Sequence, residues 1–183
     1  MTRLTPRGRK PLTKSLLLPL PAQEAQRLAL KHHLALAMLG QGCGNLEQFA
    51  TLLNVVYIAF FLRDAKAGSI DPTLYKRAEA ALNQCVLRAE QGQPWILADK
   101  ERDIIEQLLI LHVAQLSIVP AHRYLNAWER MQSATVGSGP SPIPAIACPR
   151  HRPKSMRATN NAMVAALCRR AGGGIRERSL QLS

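Results

Sequence analysis

Two groups of side chains in this 183-residue chain could do chemistry by type, and the first is a possible metal site. Cys148 and His151 are separated by two residues, and Cys168 or His122 could supply further donors. Structural zinc sites bring four donors together, usually as two close-spaced couples. This sequence offers one couple, with an arginine between its members, in a proline-rich stretch. We therefore expect neither a metal site nor a cofactor.

The second group consists of histidines: His32 and His33 are adjacent, and His112 follows in a later apolar stretch. Adjacent residues on a helix point in different directions, so His32 and His33 cannot act as one acid–base unit. We expect His112 to occupy a polar pocket of the core. No nucleophile elbow is recognisable, and the glycine cluster at 40–44 lacks the Lys-Ser or Lys-Thr pair of a phosphate loop. The sequence therefore predicts a protein without enzymatic activity.

Basic side chains carry the clearest signal, because the formal net charge of +12 is confined to the two ends of the chain. Residues 1–21 hold five basic and no acidic side chains, residues 22–132 hold eleven of each, and residues 133–183 hold eight basic and one acidic. Such asymmetry is typical of tails that contact a polyanion, where each contact with phosphate releases counterions. The predicted phosphate-binding residues are Arg3, Arg7, Arg9, Lys10, Lys14, Arg150, Arg152, Lys154, Arg157, Arg169 and Arg170. The alternative is that both tails are incidental extensions kept soluble by their charge.

Composition predicts an all-α fold. Hydrophobic residues make up 47% of the chain but aromatic residues only 4%, which suits helix packing better than a sheet. We expect a compact four- or five-helix domain over residues 21–132. Residues 1–20 are expected to form a basic disordered or extended arm. Residues 133–183 are expected to form a Pro/Gly-rich basic tail, in which a short helix could span 161–170.

Helix boundaries can be placed from capping residues. A first long helix is expected to begin at Pro21 and to end in the glycine cluster at 40–44. Asn45 is a good N-cap for the next, with Gln48 placed to complete a capping box.

Three later boundaries follow in the same way. Asp71 and Pro72 begin a further helix, and Asp99 is expected to cap another. Pro120 either kinks that helix or begins a fifth one.

The helix after Asn45 is predicted to be the buried centre of the domain. Fifteen residues without a charge lie between Glu47 and Arg63. A membrane span needs about 20 predominantly apolar residues, so this run is too short for one. A helix that is apolar on nearly every side must be covered on nearly every side.

Residues 44–55, GNLEQFATLLNV, resemble the second helix and turn of the helix-turn-helix in the Fis family of bacterial DNA-binding regulators. The resemblance covers about residues 35–63, and its first half matches better. It implies a turn at Asn54 and a recognition helix that starts near Val56. A recognition helix carries polar and basic residues toward phosphates and base edges, whereas residues 56–63 here read VYIAFFLR. Direct reading of the major groove by this helix is therefore not expected.

The expected function is that of a small, non-enzymatic, nucleic-acid-associated bacterial protein, resembling a transcription regulator, whose basic tails contact phosphate. The alternative is a helical protein–protein interaction module, binding a partner or a second copy through an apolar stripe of Tyr124, Trp128 and Met131. Attachment to an anionic membrane surface through residues 1–18 is a third and less favoured possibility.

The expected compartment is the cytoplasm. The apolar run Leu16–Leu18 is interrupted by Pro19 and Pro21 and is too short for a secretory signal. The four cysteines show no framework spacing, which suits a reducing environment.

Overall fold

The computed structural model describes residues 13–63, 72–136 and 141–143. These residues form helices and one isolated bridge, so the predicted all-α fold is confirmed for them. In chain order the helices are α1 (Lys14–Leu17), α2 (Ala22–Gly40), α3 (Leu46–Leu62), α4 (Pro72–Glu90), α5 (Asp99–Ile118) and α6 (Ala121–Val136).

Helices α2 to α5 form an antiparallel four-helix bundle, in which each packs on its chain neighbours and α5 closes the ring onto α2. Two contacts at different heights along the bundle show that α2 and α5 pair in an antiparallel arrangement. The His32 and His112 rings lie 5.6 Å apart, and at the far end of α2 the Leu97 N–H donates to the Leu39 carbonyl at 3.0 Å. Short connections at 41–45 and 91–98 are sufficient, because consecutive helices in this arrangement end where the next begins.

Helix α3 is buried along most of its length, as its charge-free sequence predicts. Its buried residues run almost without interruption from Phe49 to Leu62. Helices α2, α4 and α5 cover it from within the bundle, and α6 packs on the side that they leave open. Because most of α3 is apolar and buried, a fifth long helix, α6, is needed to complete its cover.

The start of α3 confirms the predicted capping box. The Asn45 side-chain oxygen accepts from the Glu47 N–H at 2.7 Å, and the Asn45 N–H donates to Gln48 Oε1 at 3.1 Å. In the preceding loop Gly42 has a φ of 72°, a left-handed conformation that favours glycine.

Two later boundaries refine the sequence-based ones. Ala98, and not Asp99, is the N-cap of α5, because Glu101 reaches back to accept from the Ala98 N–H at 2.9 Å. At Pro120 the chain starts a new helix: α5 ends at Ile118, Val119 is extended, and α6 follows from Ala121.

The ordered domain is longer at both ends than the predicted 21–132. Residues 14–17 form α1, which packs on α6, where an arm without structure was expected. Helix α6 continues to Val136, and Ile143 is only 2% exposed although it lies in the predicted linker. Contacts of the Leu16 and Leu18 carbonyls hold the first segment and the buried Ile143 side chain holds the second, and composition alone reveals neither. The predicted helix at 161–170 lies outside the described residues.

None of the described helices combines the length and the apolarity needed to cross a lipid bilayer.

Replacing Ile143 with alanine tests whether this segment belongs to the domain. Its side chain joins the core cluster, so we expect Ile143→Ala to lower the free energy of unfolding by about 2 to 3 kcal/mol. Ile118→Ala is the matched control, because Ile118 is 72% exposed and its loss should change stability by less than about 0.5 kcal/mol. Urea unfolding of both variants measures this, and equal losses would contradict the placement of Ile143.

Candidate functional site

Backbone contacts around two prolines hold the N-terminal segment against the start of α6. The Ala121 N–H donates to the Leu18 carbonyl at 2.8 Å, and Pro19 forms an antiparallel bridge with Pro120. His122 Nδ1 lies 2.9 Å from the Leu16 carbonyl oxygen. The chain that precedes Thr13 therefore leaves from the end of the bundle where α2 begins and α5 ends.

The C-terminal segment is anchored at that same end. Lys76 Nζ, near the start of α4, donates to the Ile143 carbonyl at 3.4 Å. Because α4 runs antiparallel to α5, the start of α4 lies beside the end of α5. Both tails consequently leave from one end of the bundle, which the linear sequence does not reveal.

The two halves of the bundle differ in charge. The half that both tails leave is called the tail end, and it comprises residues 13–31, 55–63, 72–81, 109–136 and 141–143. The other half, which holds the two short connections, is called the loop end and comprises residues 32–54 and 82–108. The described part of the tail end has eight basic and three acidic side chains, and the loop end has three basic and six acidic ones.

A domain that is nearly neutral in total is therefore polarised along its long axis. The basic residues of the tail end are Lys14, Arg27, Lys31, Arg63, Lys76, Arg77, Arg123 and Arg130. The acidic residues of the loop end are Glu47, Glu90, Asp99, Glu101, Asp103 and Glu106. The connecting segment 64–71 contributes two aspartates and one lysine to the sequence between α3 and α4, and it is outside the described residues. The described ends of the chain, Thr13 and Ile143, beyond which the sequence holds most of the net positive charge, thus lie in the half that is itself basic.

Two arginines of the tail end are positioned on aromatic rings. The Arg63 guanidinium carbon lies 3.8 Å from the centroid of the Phe60 ring, and that of Arg130 lies 4.4 Å from the centroid of the Phe61 ring. Such contacts contribute about 0.5 to 1 kcal/mol each at partly exposed sites. The end of the apolar helix α3 is thereby covered by cationic groups. Sequence reasoning missed this role, although the adjacency of Phe60, Phe61 and Arg63 was a usable signal.

The acidic groups of the tail end are largely held in internal pairs. Glu79 is 5% exposed, and its carboxylate accepts from the Tyr57 hydroxyl at 3.0 Å and from Lys76 Nζ at 2.6 Å. Glu24 on the surface lies 3.8 Å from Arg27. Each pair also engages one basic side chain, so the pairing leaves the excess of five basic over acidic side chains (eight minus three) in this half unchanged.

Of the predicted phosphate-binding residues, the structure describes Lys14, the exposed first residue of α1 at the tail end. The other ten lie outside the described residues: Arg3, Arg7, Arg9, Lys10, Arg150, Arg152, Lys154, Arg157, Arg169 and Arg170.

The predicted partner-binding stripe packs against this chain's own core. Met131 is 2% exposed, and Tyr124 and Trp128 are half-buried against the same cluster. Burial, together with the nearby Glu24 carboxylate, raises the pKa of Tyr124 to about 12. In this conformation the stripe joins α6 to the bundle and does not form an open patch.

The buried histidine pair consists of His32 and His112, and not of the sequence neighbours His32 and His33. His33 is exposed, whereas His32 on α2 and His112 on α5 are 7% and 0% exposed and stack with their rings tilted by 43°. Gln115 lies beside them: its Oε1 is 3.4 Å from His112 Nδ1, and its Nε2 donates to the Ala59 carbonyl of α3 at 3.2 Å. The pair stands deep in the helix interface, away from solvent.

Desolvation by burial lowers the pKa of His32 to about 3, with the neighbouring His112, Lys31 and His33 acting in the same direction. Burial likewise lowers the pKa of His112 to about 4, against the opposing effect of its hydrogen bond with Gln115. Both rings are therefore neutral at physiological pH.

Neither the metal site nor a reading helix is found among the described residues. No group of three or more potential metal-binding side chains occurs within 13–63, 72–136 and 141–143, and Cys148, His151 and Cys168 lie outside those ranges.

Helix α3 runs continuously from Leu46 to Leu62 through Asn54, where the helix-turn-helix resemblance implies a turn. Residues Val56 to Leu62 are buried apart from Phe61, which is partly covered.

No family model, curated protein or solved structure matches this chain at a significant level.

The buried histidine pair should make the fold sensitive to acid. In the unfolded chain both rings titrate near pH 6.5, but in the folded chain they resist protonation down to about pH 4 and 3. Their contribution to stability is therefore complete above pH 6.5 and is lost progressively as the pH falls below it. Between pH 7.5 and 5.0 each histidine should account for a loss of about 2 kcal/mol in the free energy of unfolding.

Urea unfolding at these two pH values measures the loss in the wild type, His32→Gln, His112→Gln and the exposed control His33→Gln. The two buried variants should show a smaller difference between the pH values, whatever their absolute stability, and His33→Gln should match the wild type. An unchanged pH dependence in both buried variants would show that the pair does not resist protonation.

Proposed function

We propose that this chain is a small, non-enzymatic, cytoplasmic protein that associates with nucleic acid, in the manner of an accessory to transcription regulation. Its two basic tails contact phosphates, and the tail end of the bundle adds further cations at the place from which both tails leave. The helical bundle acts as the rigid base that brings the two tails together.

The observation that carries this proposal is that both basic tails are attached at the same end of the bundle and that this end is itself basic. The N-terminal segment is held there through Pro19 and Pro120, and the C-terminal segment through Ile143 and Lys76. The described tail end has eight basic side chains against three acidic ones, while the acidic excess lies at the loop end. A polyanion that approaches the tail end meets a half with a net positive charge, whereas the far half is net negative.

This arrangement supports binding without sequence reading. Each Lys or Arg that neutralises a phosphate releases condensed counterions, which gives affinity that depends on salt and not on base sequence. Helix α3, the segment that the helix-turn-helix resemblance would use for base contacts, is covered by α6 and the bundle. Arginine-rich tails and an arginine-bearing end provide phosphate contacts, which position a protein on a duplex but do not specify a site.

Neutralising the tails should weaken binding and flatten its salt dependence. We expect the full chain to bind duplex DNA at low salt, with an association constant that falls steeply as salt rises. Replacing Arg3, Arg7, Arg9 and Lys10 with glutamine should reduce the magnitude of the log–log salt slope by up to about 3 to 4, since each contact accounts for about 0.9. The same number of replacements at Arg150, Arg152, Lys154 and Arg157 should act similarly. Filter binding at two or more salt concentrations measures both, and no binding at low salt, or binding unchanged in the doubly neutralised chain, would refute the proposal.

The polarity of the bundle can be tested with two matched pairs of surface cations. Lys14→Gln with Arg77→Gln removes one lysine and one arginine from the tail end, where both are exposed. Lys100→Gln with Arg102→Gln removes the same two residue types, also exposed, from the loop end. The first pair should weaken DNA binding at low salt by roughly threefold to tenfold, while the second should change it by less than twofold. Equal effects of the two pairs would show that the tail end has no special part in binding.

An anionic membrane surface would bind the same basic side chains as nucleic acid does. Leu17 and Leu18 beside Lys14 are exposed, so such a membrane is the main alternative partner. Co-sedimentation with vesicles containing about a third phosphatidylserine, compared with DNA at equal salt, separates the two. Nucleic-acid association predicts that DNA displaces the protein from the vesicles. Retention on vesicles in the presence of excess DNA would favour the membrane instead.

A further inference from the structure

A groove of about 310 Å³ runs along the bundle between α2 and the first half of α3, and it is lined by residues of both the tail end and the loop end. Its open side is formed by Leu30, Leu34 and Met38, which are 61%, 56% and 39% exposed. A contiguous apolar strip of this kind is unusual on a surface that has no partner. Arg27 and Lys31 lie at one end of the groove, and Glu47 lies at the other.

The three apolar residues form a ridge suited to pairing with another helix. They recur at a spacing of four residues, and side chains at i, i+4 and i+8 form one continuous row on a helix surface. When two such rows interlock, the helices cross at about −50°, the commonest packing arrangement of helices in globular proteins. The groove between α2 and α3 provides the space into which a second row would fit.

The charges at the two ends of the groove indicate that the second row belongs to another copy of this chain. If two copies pair about a two-fold axis that passes close to Leu34, Leu30 of one copy meets Met38 of the other. Arg27 and Lys31 of each copy then lie beside Glu47 of the other, so the charge contact is made twice. The polarity of the whole bundle acts in the same direction, because an antiparallel arrangement sets each basic tail end beside an acidic loop end.

We propose that this chain forms a homodimer through the groove between α2 and α3, with Leu34 at the two-fold axis and with Arg27 and Lys31 facing Glu47 of the second copy. Such a self-complementary surface is what a closed two-fold interface requires. The proposal does not rest on nucleic-acid binding, because it uses neither tail, although Arg27 and Lys31 belong to the tail end.

The experiment is sedimentation equilibrium of the full chain, freed of nucleic acid by nuclease and high-salt washing, from about 1 to about 200 µM. The wild type should change from monomer to dimer within this range. Leu34→Glu should weaken association at least tenfold, because a charge replaces the central apolar contact of both copies. Ile118→Glu is the matched control: Ile118 is more exposed than Leu34 but lies on α5 and does not line the groove, so dimerisation should be unchanged.

A charge exchange keeps the proposal falsifiable even if Leu34→Glu perturbs folding. Lys31→Glu alone and Glu47→Lys alone should each weaken the dimer by roughly threefold to tenfold, and the double variant should restore at least part of the loss. The proposal is overturned if the wild type stays monomeric up to the highest concentration, if Leu34→Glu leaves the dimer intact, or if the double variant restores none of the loss seen in the single ones. A monomer in which the groove is filled by the chain's own residues 161–170 gives the first of these outcomes.

Discussion

The burial of α3 is the constraint on which the rest of the molecule depends. A 17-residue helix with no charged residue between Glu47 and Arg63 has little surface that can be left in water. Three helices of an antiparallel bundle leave one side of it open, and α6 covers that side. Pro120 makes this possible, because it ends α5 and turns the chain back toward α3. The covering of one apolar helix therefore determines both the number of helices and the route of the chain.

The same constraint gathers the two tails. Since α6 begins where α5 ends, the segment before α2 meets it at Pro19 and Pro120, and the segment after α6 returns to the start of α4. The arginines that cover the end of α3, Arg63 and Arg130, lie in that half as well. Positive charge thus accumulates at one end through the packing of a hydrophobic core. The acidic first turn of α5, with Asp99 and Glu101, and Glu90 near the end of α4 leave the opposite end negative.

The helical core could be predicted from the sequence because its signals are local. Asn45 with Gln48, the glycine cluster at 40–44 and the uncharged run after Glu47 each identify a boundary or a burial state within a few residues. What could not be predicted depends on contacts between distant segments. The contact of Ile143 with Lys76 joins residues 67 positions apart, and that of Leu16 with His122 joins residues 106 positions apart.

The candidate site was predictable only in part, for the same reason. The segregation of charge into the tails is visible in the linear sequence, whereas the polarity of the neutral domain appears only when the helices are folded side by side. The stripe of Tyr124, Trp128 and Met131 has the period of a binding face, but a helical stripe does not itself show whether a partner or the chain's own core covers it.

Photo-crosslinking of the full chain to duplex DNA, with the crosslinked peptides located by mass spectrometry, tests the central claim most directly. The account predicts crosslinks in residues 1–14 and 144–183 and at exposed positions of the tail end such as Arg77. It predicts that residues 82–108 of the loop end and the buried run from Val56 to Leu62 remain free of them. Crosslinks concentrated in either of those two segments, with the tails unmodified, would contradict it.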